Sequence, residues 1–292
     1  MSQSSESVVS SKAGRPHSSN ELRRKFWIKV SLVVVILVAL FWDGYHRRPT
    51  AAAEGISFFG NVPDPVSAGT AKPFRVGIFN IAGGYGIDHR RDLDRTAKTL
   101  EGCDFIGLNE VHAGFPWQKQ NQALLLGAKL NLSWLFAPTE RRWWQDDFGN
   151  GVLSKIPVAH WQRFPISTRA AKSNRNVVLV RAQYQNRTLN ILITHLDRHE
   201  DHDGELRAVA ELFLSLAEPA ILMGDLNDSA SHPEIRRLQT TPGVTDVTGL
   251  APTKHRDSDW IFSRGLTCAR ADLKEEGASD HPFYWADFEL IP

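Results

Sequence analysis

Ala220-Ile221-Leu222-Met223-Gly224-Asp225-Leu226-Asn227 sets an apolar run against an abrupt polar stop, and the rest of the chain is read outward from it. A short, uninterrupted apolar run marks a strand buried on both faces, as inside the layers of an α/β protein. A second stop, Ser279-Asp280-His281, precedes the last apolar stretch, residues 282–290. Carboxylates, an amide and an imidazole are thereby expected at strand ends.

Further runs extend the pattern in both directions. Residues 74–81 and 104–111 read as strands, and residues 88–100 between them carry Leu93, Ala97 and Leu100 at helical spacing. Residues 117–130 read as a helix through Leu124, Leu125, Ala128 and Leu130, and residues 149–153 return to strand character. Two β-branched runs, 177–184 and 188–196, flank Gln185-Asn186-Arg187 as a hairpin. Residues 206–216 are helical by Leu206, Val209, Ala210, Phe213 and Leu214, and residues 259–262, 266–273 and 282–290 complete the strands. Two rounds of strand and helix imply two sheets with helices outside. No repeat of solenoid period is visible.

A length of 292 residues admits one large domain or two small ones. With 34 Lys and Arg against 33 Asp and Glu, no whole-molecule field argues for nucleic acid. Cys103 and Cys268 lie far apart without CxxC or Cys/His spacing, which excludes the usual structural zinc arrangements, and they read as two buried thiols.

From Phe26 to Trp42 every residue is apolar except Lys29 and Ser31, and such a helix spans roughly 25 Å, close to a bilayer core. Ala51-Ala52-Ala53 fits a signal cleavage site but lies late, behind Asp43, His46, Arg47 and Arg48, which favours a retained anchor. Lys12, Arg15, Arg23, Arg24, Lys25 and Lys29 outnumber Arg47 and Arg48, so the N-terminus is expected in the cytoplasm and the domain outside it. Arg23-Arg24-Lys25-Phe26 is also similar to a twin-arginine export signal. The expected organisation is a disordered tail over residues 1–25, a transmembrane anchor over 26–43, a linker over 44–72 carrying Pro49, Pro63 and Pro65, and one domain over 73–292.

The chemistry resides in the stops. Asn80 ends the first strand, Glu110 the second, and Asp225 with Asn227 a later one. Each alone reads more readily as a helix cap or turn residue, but together they supply the oxygen ligands that a hard divalent cation prefers. His195 closes another strand, where a satisfied core histidine is an equal reading. His281 differs, because Asp259 ahead of Trp260-Ile261-Phe262 is placed to fix its tautomer and raise its basicity. Such groups suit water attack on a phosphate ester, which needs a proton acceptor and positive charge on the phosphoryl oxygens. His199, Asp201, His202 and Asp203 form a further cluster whose spacing matches no familiar ligand set, and it reads as a solvated helix start.

The order of motifs resembles the endonuclease/exonuclease/phosphatase superfamily, the deoxyribonuclease-I-like fold. The matching pieces are Phe79-Asn80, Leu108-Asn109-Glu110-Val111, residues 149–154, Arg175, Thr194-His195-Leu196, Gly224-Asp225-Leu226-Asn227, residues 259–262 and Ser279-Asp280-His281. The resemblance implies an α/β fold, a four-layer α-β-β-α sandwich of two mixed sheets flanked by helices, here preceded by a single transmembrane helix. It further implies a phosphoester hydrolase using Mg²⁺, with Mn²⁺ as the alternative. Glu110 resembles the principal metal ligand, with Asn80 and Asp280 near the metal. Asp225 resembles the residue that aligns or deprotonates the attacking water, with Asn227 beside it. His281 with Asp259 would contact the scissile phosphate, His195 would protonate the leaving group or hold the phosphate, and Arg175 would add fixed positive charge.

Thr194-His195-Leu196 is similar to the groups containing secreted nucleases, sphingomyelinases and phosphoinositide phosphatases, and Asp228 after Asn227 to a broad bacterial hydrolase branch. Expected substrates are phosphoesters: a phospholipid headgroup, a soluble ester or nucleic acid. Arg141, Arg142, Trp143 and Trp144 offer stacking on bases, insertion among headgroups, or cover for the core's edge. Alternatives are an anchored or secreted nuclease and a non-catalytic binding module, the latter predicting lost ligand positions. The membrane is the expected partner of residues 26–43, and the reading calls for no protein partner.

Overall fold

The computed structural model describes residues 19–45, 48–60, 73–114, 120–141, 147–166, 174–198, 201–252 and 258–291. After helix α1 (Ser19–Tyr45) come two short strands, β1 (Arg48–Pro49) and β2 (Ala53–Gly55). The first half of the domain runs β3 (Phe74–Asn80), α2 (Leu93–Leu100), β4 (Phe105–His112), α3 (Gln122–Leu130), β5 (Ser133–Arg141) and β6 (Phe148–Ser154). The second half runs β7 (Val158–Pro165), β8 (Asn176–Tyr184), β9 (Arg187–His195), α4 (His202–Ser215), β10 (Ala220–Asp225), α5 (Pro233–Thr240) and β11 (Val244–Asp246). It closes with β12 (Asp259–Arg264), β13 (Leu266–Lys274) and β14 (Phe283–Leu290).

The strands form two mixed sheets, ordered β1-β5-β6-β4-β3-β14-β13 and β11-β12-β10-β9-β8-β7-β2. Each holds one parallel pair among its described strands, β3 with β4 and β9 with β10. Parallel neighbours need a crossover, and α2 and α4 supply it. Helix α2 starts where Asp92 accepts from the N–H groups of Asp94 and Arg95, and α4 buries Leu206, Val209, Ala210 and Phe213. The β8–β9 hairpin turns on Gln185 and Asn186, both left-handed, which matches the strand twist of a two-residue turn.

Alternation along the strands builds the layers. On β10, Ile221 and Met223 join Ile191 and Ile193 of β9 and Val76 and Ile78 of β3 in a core between the sheets. Ala220 and Leu222 face the other way and pack with Leu206 and Phe213 of α4. Phe79 and Ile106 pack with Leu100 of α2 and Leu126 of α3 in a third core. The result is the expected four-layer sandwich, and the wholly apolar run at β10 follows from burial on both faces.

Helix α1 and the domain are separate compact units divided after Gly44. Consecutive apolar residues Val33 to Val38 are all exposed, so the middle of α1 is apolar all round, and Ser19–Trp42 is a candidate membrane span. It begins inside the stretch expected as a tail, of which residues 1–18 lie outside the described residues. Part of the expected linker belongs to the sheets. Strand β1 pairs with β5, β2 pairs with β7, and Phe58 is buried in the inter-sheet core. Residues 61–72 lie outside the described residues. Helix α3 starts at Gln122 rather than at residue 117, with residues 115–119 not described. Cys103 is buried, but Cys268 is only half-buried because it lies on β13, the last strand of its sheet.

Candidate active site

Both parallel pairs bring their C-terminal ends to one place, the usual position for a ligand site in α/β sheets. Asn80, last on β3, donates from Nδ2 to Glu110 Oε1 and to Asp225 Oδ2, 3.1 Å each, which joins the two sheets at this point. His195 ends β9 in register with Asp225, and its Nε2 lies 3.6 Å from Asp225 Oδ2. His281 Nε2 approaches the same oxygen at 3.8 Å, while its Nδ1 lies 2.7 Å from Asp259 Oδ2. One carboxylate oxygen is thus faced by an amide and two imidazoles.

Local backbone geometry sets these positions. A side chain on Gly224 would put its Cβ 1.9 Å from Thr194 O, so only glycine lets β10 approach β9 closely enough to carry Asp225 level with His195. Register between β4 and β6 shifts between Leu108 and Val111, and within this bulge Glu110 adopts φ +56°, a left-handed conformation costly for a glutamate. Asn227, also left-handed, donates its N–H to Asp225 Oδ1 at 3.0 Å and its Nδ2 to Leu196 O at 2.7 Å, and accepts from Arg198 Nε.

Burial and neighbouring charge assign the protons. Burial and the nearby Asp259 carboxylate push Asp225 up to about 6. Burial opposes a charge on His281, but the bond to Asp259 overcomes it and carries the imidazole to about 9. His195 is held well below its ordinary value by burial and by the charges of Arg175 and His281. Arg175 NH1 lies 3.3 Å from His195 Nδ1 and can only donate, so the neutral ring carries its proton on Nε2, facing Asp225. Arg175 is buried, its guanidinium lying 3.9 Å from Asp197 Oδ1 and over the Phe148 ring. At neutral pH the site therefore presents an imidazolium, a neutral imidazole and a carboxylate near its titration point.

A set of buried asparagines beneath these groups was not singled out in the sequence. Asn109 donates to Asn150 Oδ1 at 2.8 Å and to Thr194 O at 3.0 Å, and accepts from Asp225 N–H at 2.9 Å. Asn150 passes its own Nδ2 to Asn176 Oδ1 at 2.9 Å, and Asn176 donates to Pro138 O at 2.9 Å. These amides stitch one sheet to the other directly behind Asp225, and buried polar groups so satisfied fix a single geometry. Their one signal in the sequence is an amide inside an otherwise apolar or glycine-rich strand.

Carboxylates border the site on several sides. Glu110 is half-buried with Oε1 taken by Asn80, Asp280 is exposed beside His281, and Asp259 Oδ1 is a buried carboxylate oxygen without a partner. Carboxylate oxygens are the donors a hard divalent cation takes, and Asp225, Asp259 and His281 each bring one ligand atom within 4.8 Å of the others. Asn80 accepts from Ala82 N–H with its Oδ1 at 3.1 Å and turns its Nδ2 donor toward the carboxylates. Residues 142–146 of the expected aromatic loop lie outside the described residues.

The sequence model described as the Endonuclease/Exonuclease/phosphatase family matches residues 77–281. No curated protein sequence matches significantly. Among solved structures, an endonuclease/exonuclease/phosphatase from Beutenbergia cavernae is 21% identical, with TM-score 0.61, covering 75% of this chain and 72% of that one. The human Nocturnin catalytic domain with bound sulfate is 17% identical, with TM-score 0.57, over 84% and 99% of the chains. The D. rerio TDP2 complex with a single-strand DNA product is 18% identical, with TM-score 0.53, over 74% and 98%.

Proposed function

We propose, from the premise that this chain belongs to the endonuclease/exonuclease/phosphatase family, that it is a Mg²⁺-dependent phosphodiesterase or phosphatase anchored by α1 with its domain outside the cytoplasm. Glu110 and Asp280 would hold the cation, which supplies charge neutralisation at the phosphoryl oxygens. Mn²⁺ has the same preference for oxygen and is the alternative. The excess of Lys and Arg before the span supports the orientation.

Asp225 accepts a proton from the attacking water. Burial and the nearby Asp259 raise its carboxyl above the ordinary value, which makes it a stronger base than a free carboxylate. Asn80 and the Asn227 N–H hold its two oxygens in place. His281, charged and oriented by Asp259, donates from Nε2 to a phosphoryl oxygen. His195 Nε2–H serves the leaving oxygen or the phosphate, and Arg175 fixes its tautomer while adding charge. The single observation that carries this reading is the convergence of Asn80, His195 and His281 on Asp225 Oδ2.

The experiment is hydrolysis by the purified full chain of a panel comprising sphingomyelin, phosphoinositides, DNA, RNA and a chromogenic diester, with and without Mg²⁺. Hydrolysis of at least one only with metal, lost in Asp225→Ala, is expected. Undiminished turnover by Asp225→Ala would sink the mechanism. A nuclease is the second reading, supported by the likeness to a protein solved with a DNA product, and degradation of DNA or RNA in the same panel selects it.

A further inference from the structure

A second cluster lies outside the site just described, where the starts of α4 and α5 meet the loop after β10. The sequence suggested a solvated helix start at His202, but its side chain is only 11% exposed, because Asp228 and His232 from 26 and 30 residues downstream cover it. Both ring nitrogens of His202 are sealed from solvent, and among the described residues neither makes a hydrogen bond of good geometry. His202 Nε2 nonetheless lies 3.2 Å from Asp228 Oδ2, and the same oxygen lies 3.9 Å from His232 Nε2. Asp203 Oδ1, on the exposed side, is 3.1 Å from His232 Nε2.

A buried imidazole that faces a carboxylate and a second imidazole without a well-aligned hydrogen bond has the arrangement of a cation ligand. One ligand atom from each of His202, Asp228 and His232 falls within 4.8 Å of the other two. A tetrahedral ion with bonds of about 2.0–2.1 Å holds its donors about 3.3 Å apart, against 3.2 and 3.9 Å from Asp228 Oδ2 to the two imidazoles and an upper bound of 4.8 Å between any two donors here. Two imidazoles and a carboxylate suit a borderline metal and not Mg²⁺, which prefers oxygen alone.

We propose that His202 Nε2, Asp228 Oδ2 and His232 Nε2 form a second cation site for a Zn²⁺-class metal, with Asp203 or water as the fourth ligand. The metal clips the first turns of α4 and α5 to the loop in which Asp228 directly follows Asn227, and so braces the segment that positions Asp225. Binding carries one local cost. In the metal-free chain Glu234 N–H donates to His232 Nδ1 at 3.1 Å, which puts the ring proton on Nε2. Coordination at Nε2 moves that proton to Nδ1 and gives up the cap bond on α5.

The test uses the full chain in detergent, stripped with a chelator, titrated with Zn²⁺ against a chromophoric chelator and followed by thermal unfolding. Three variants separate the possibilities: His202→Ala, His232→Asn, which keeps a good helix cap while removing the ligand, and Glu110→Ala, which removes the candidate catalytic ligand. Expected are one tightly held Zn²⁺ with a rise in unfolding temperature, retained in Glu110→Ala, and an affinity at least about tenfold weaker in both histidine variants. If His202→Ala fails to fold, His232→Asn decides. No tight Zn²⁺ on the wild-type chain, uptake unchanged in the histidine variants, or uptake abolished by Glu110→Ala would each overturn the proposal.

Discussion

Asp225→Asn is expected to stabilise the metal-free protein while removing its activity. Asp225 is 1% exposed, and burial with the nearby Asp259 raises its carboxyl from 3.8 to about 6. Below pH 3.8 the group is protonated in both the folded and unfolded chain, and nothing is lost. Between 3.8 and 6 the folded chain holds a proton that the unfolded chain has released, so stability falls as pH rises. Above 6 the full loss remains, about 3 kcal/mol. Asparagine removes that loss. It presents one acceptor where Asp225 presents two, so it keeps either the Asn80 or the Asn227 hydrogen bond and forfeits about 1 kcal/mol. The net gain is about 2 kcal/mol at pH 8, or about 6 °C in a domain of this size. At pH 4 the gain disappears. Thermal unfolding of the full chain in EDTA, followed by circular dichroism at both pH values, measures it. A variant less stable than wild type at pH 8, or a difference that does not change with pH, refutes the reasoning.

Asp259→Asn removes the partner that carries His281 to about 9. The basic limb of the pH–rate profile should move down toward neutrality, since the imidazolium and the stability it adds are present below 6.5 and are lost as pH rises through the folded value; an unmoved limb would separate His281 from the rate. Phe58→Ala should cost about 3 kcal/mol, because the ring is 5% exposed in the inter-sheet core. A chain starting at residue 73 should unfold in less urea than one starting at Tyr45, since it also lacks β1 and β2. With a thiol reagent at pH 8, Cys268 should react well before Cys103, which burial pushes up to about 12; equal rates would contradict the packing around Cys103.

What was legible in the sequence followed from burial on both faces. Ala220 to Met223 declared itself because no polar residue interrupts it, and the β8–β9 hairpin because two β-branched runs flank Gln185-Asn186-Arg187; the polar stops at Asp225 and His195 then marked the candidate site. Strand β7 was missed because its residues 158–165 mix Val, His, Trp, Gln and Arg and are mostly half-buried. Helix α5 was missed because its eight residues bury only Ile235 and Leu238. The segment after α1 looked like a tether because Pro49 and the alanines signal a loop, whereas its hold on the sheets comes from edge pairing and one phenylalanine. The pairing of His281 with Asp259 could be read from the sequence and Asp225 named beside it, but the convergence of Asn80, His195 and His281 on one Asp225 oxygen could not, because the distances depend on how the two sheets meet. The Asn109, Asn150 and Asn176 set and the His202, Asp228 and His232 cluster escaped for the same reason: each gathers residues from separate elements.

The central claim is that Asp225 and His281, far apart in sequence, act as one unit on a phosphoester. Mg²⁺-dependent hydrolysis of a phosphodiester should therefore be measured for Asp225→Ala, His281→Ala and the double variant, with folding verified for each. Each single change should reduce kcat by about 10²–10⁴-fold, and the double variant should be little worse than the poorer single one. Single variants that retain wild-type kcat, or losses that multiply in the double variant, would contradict it.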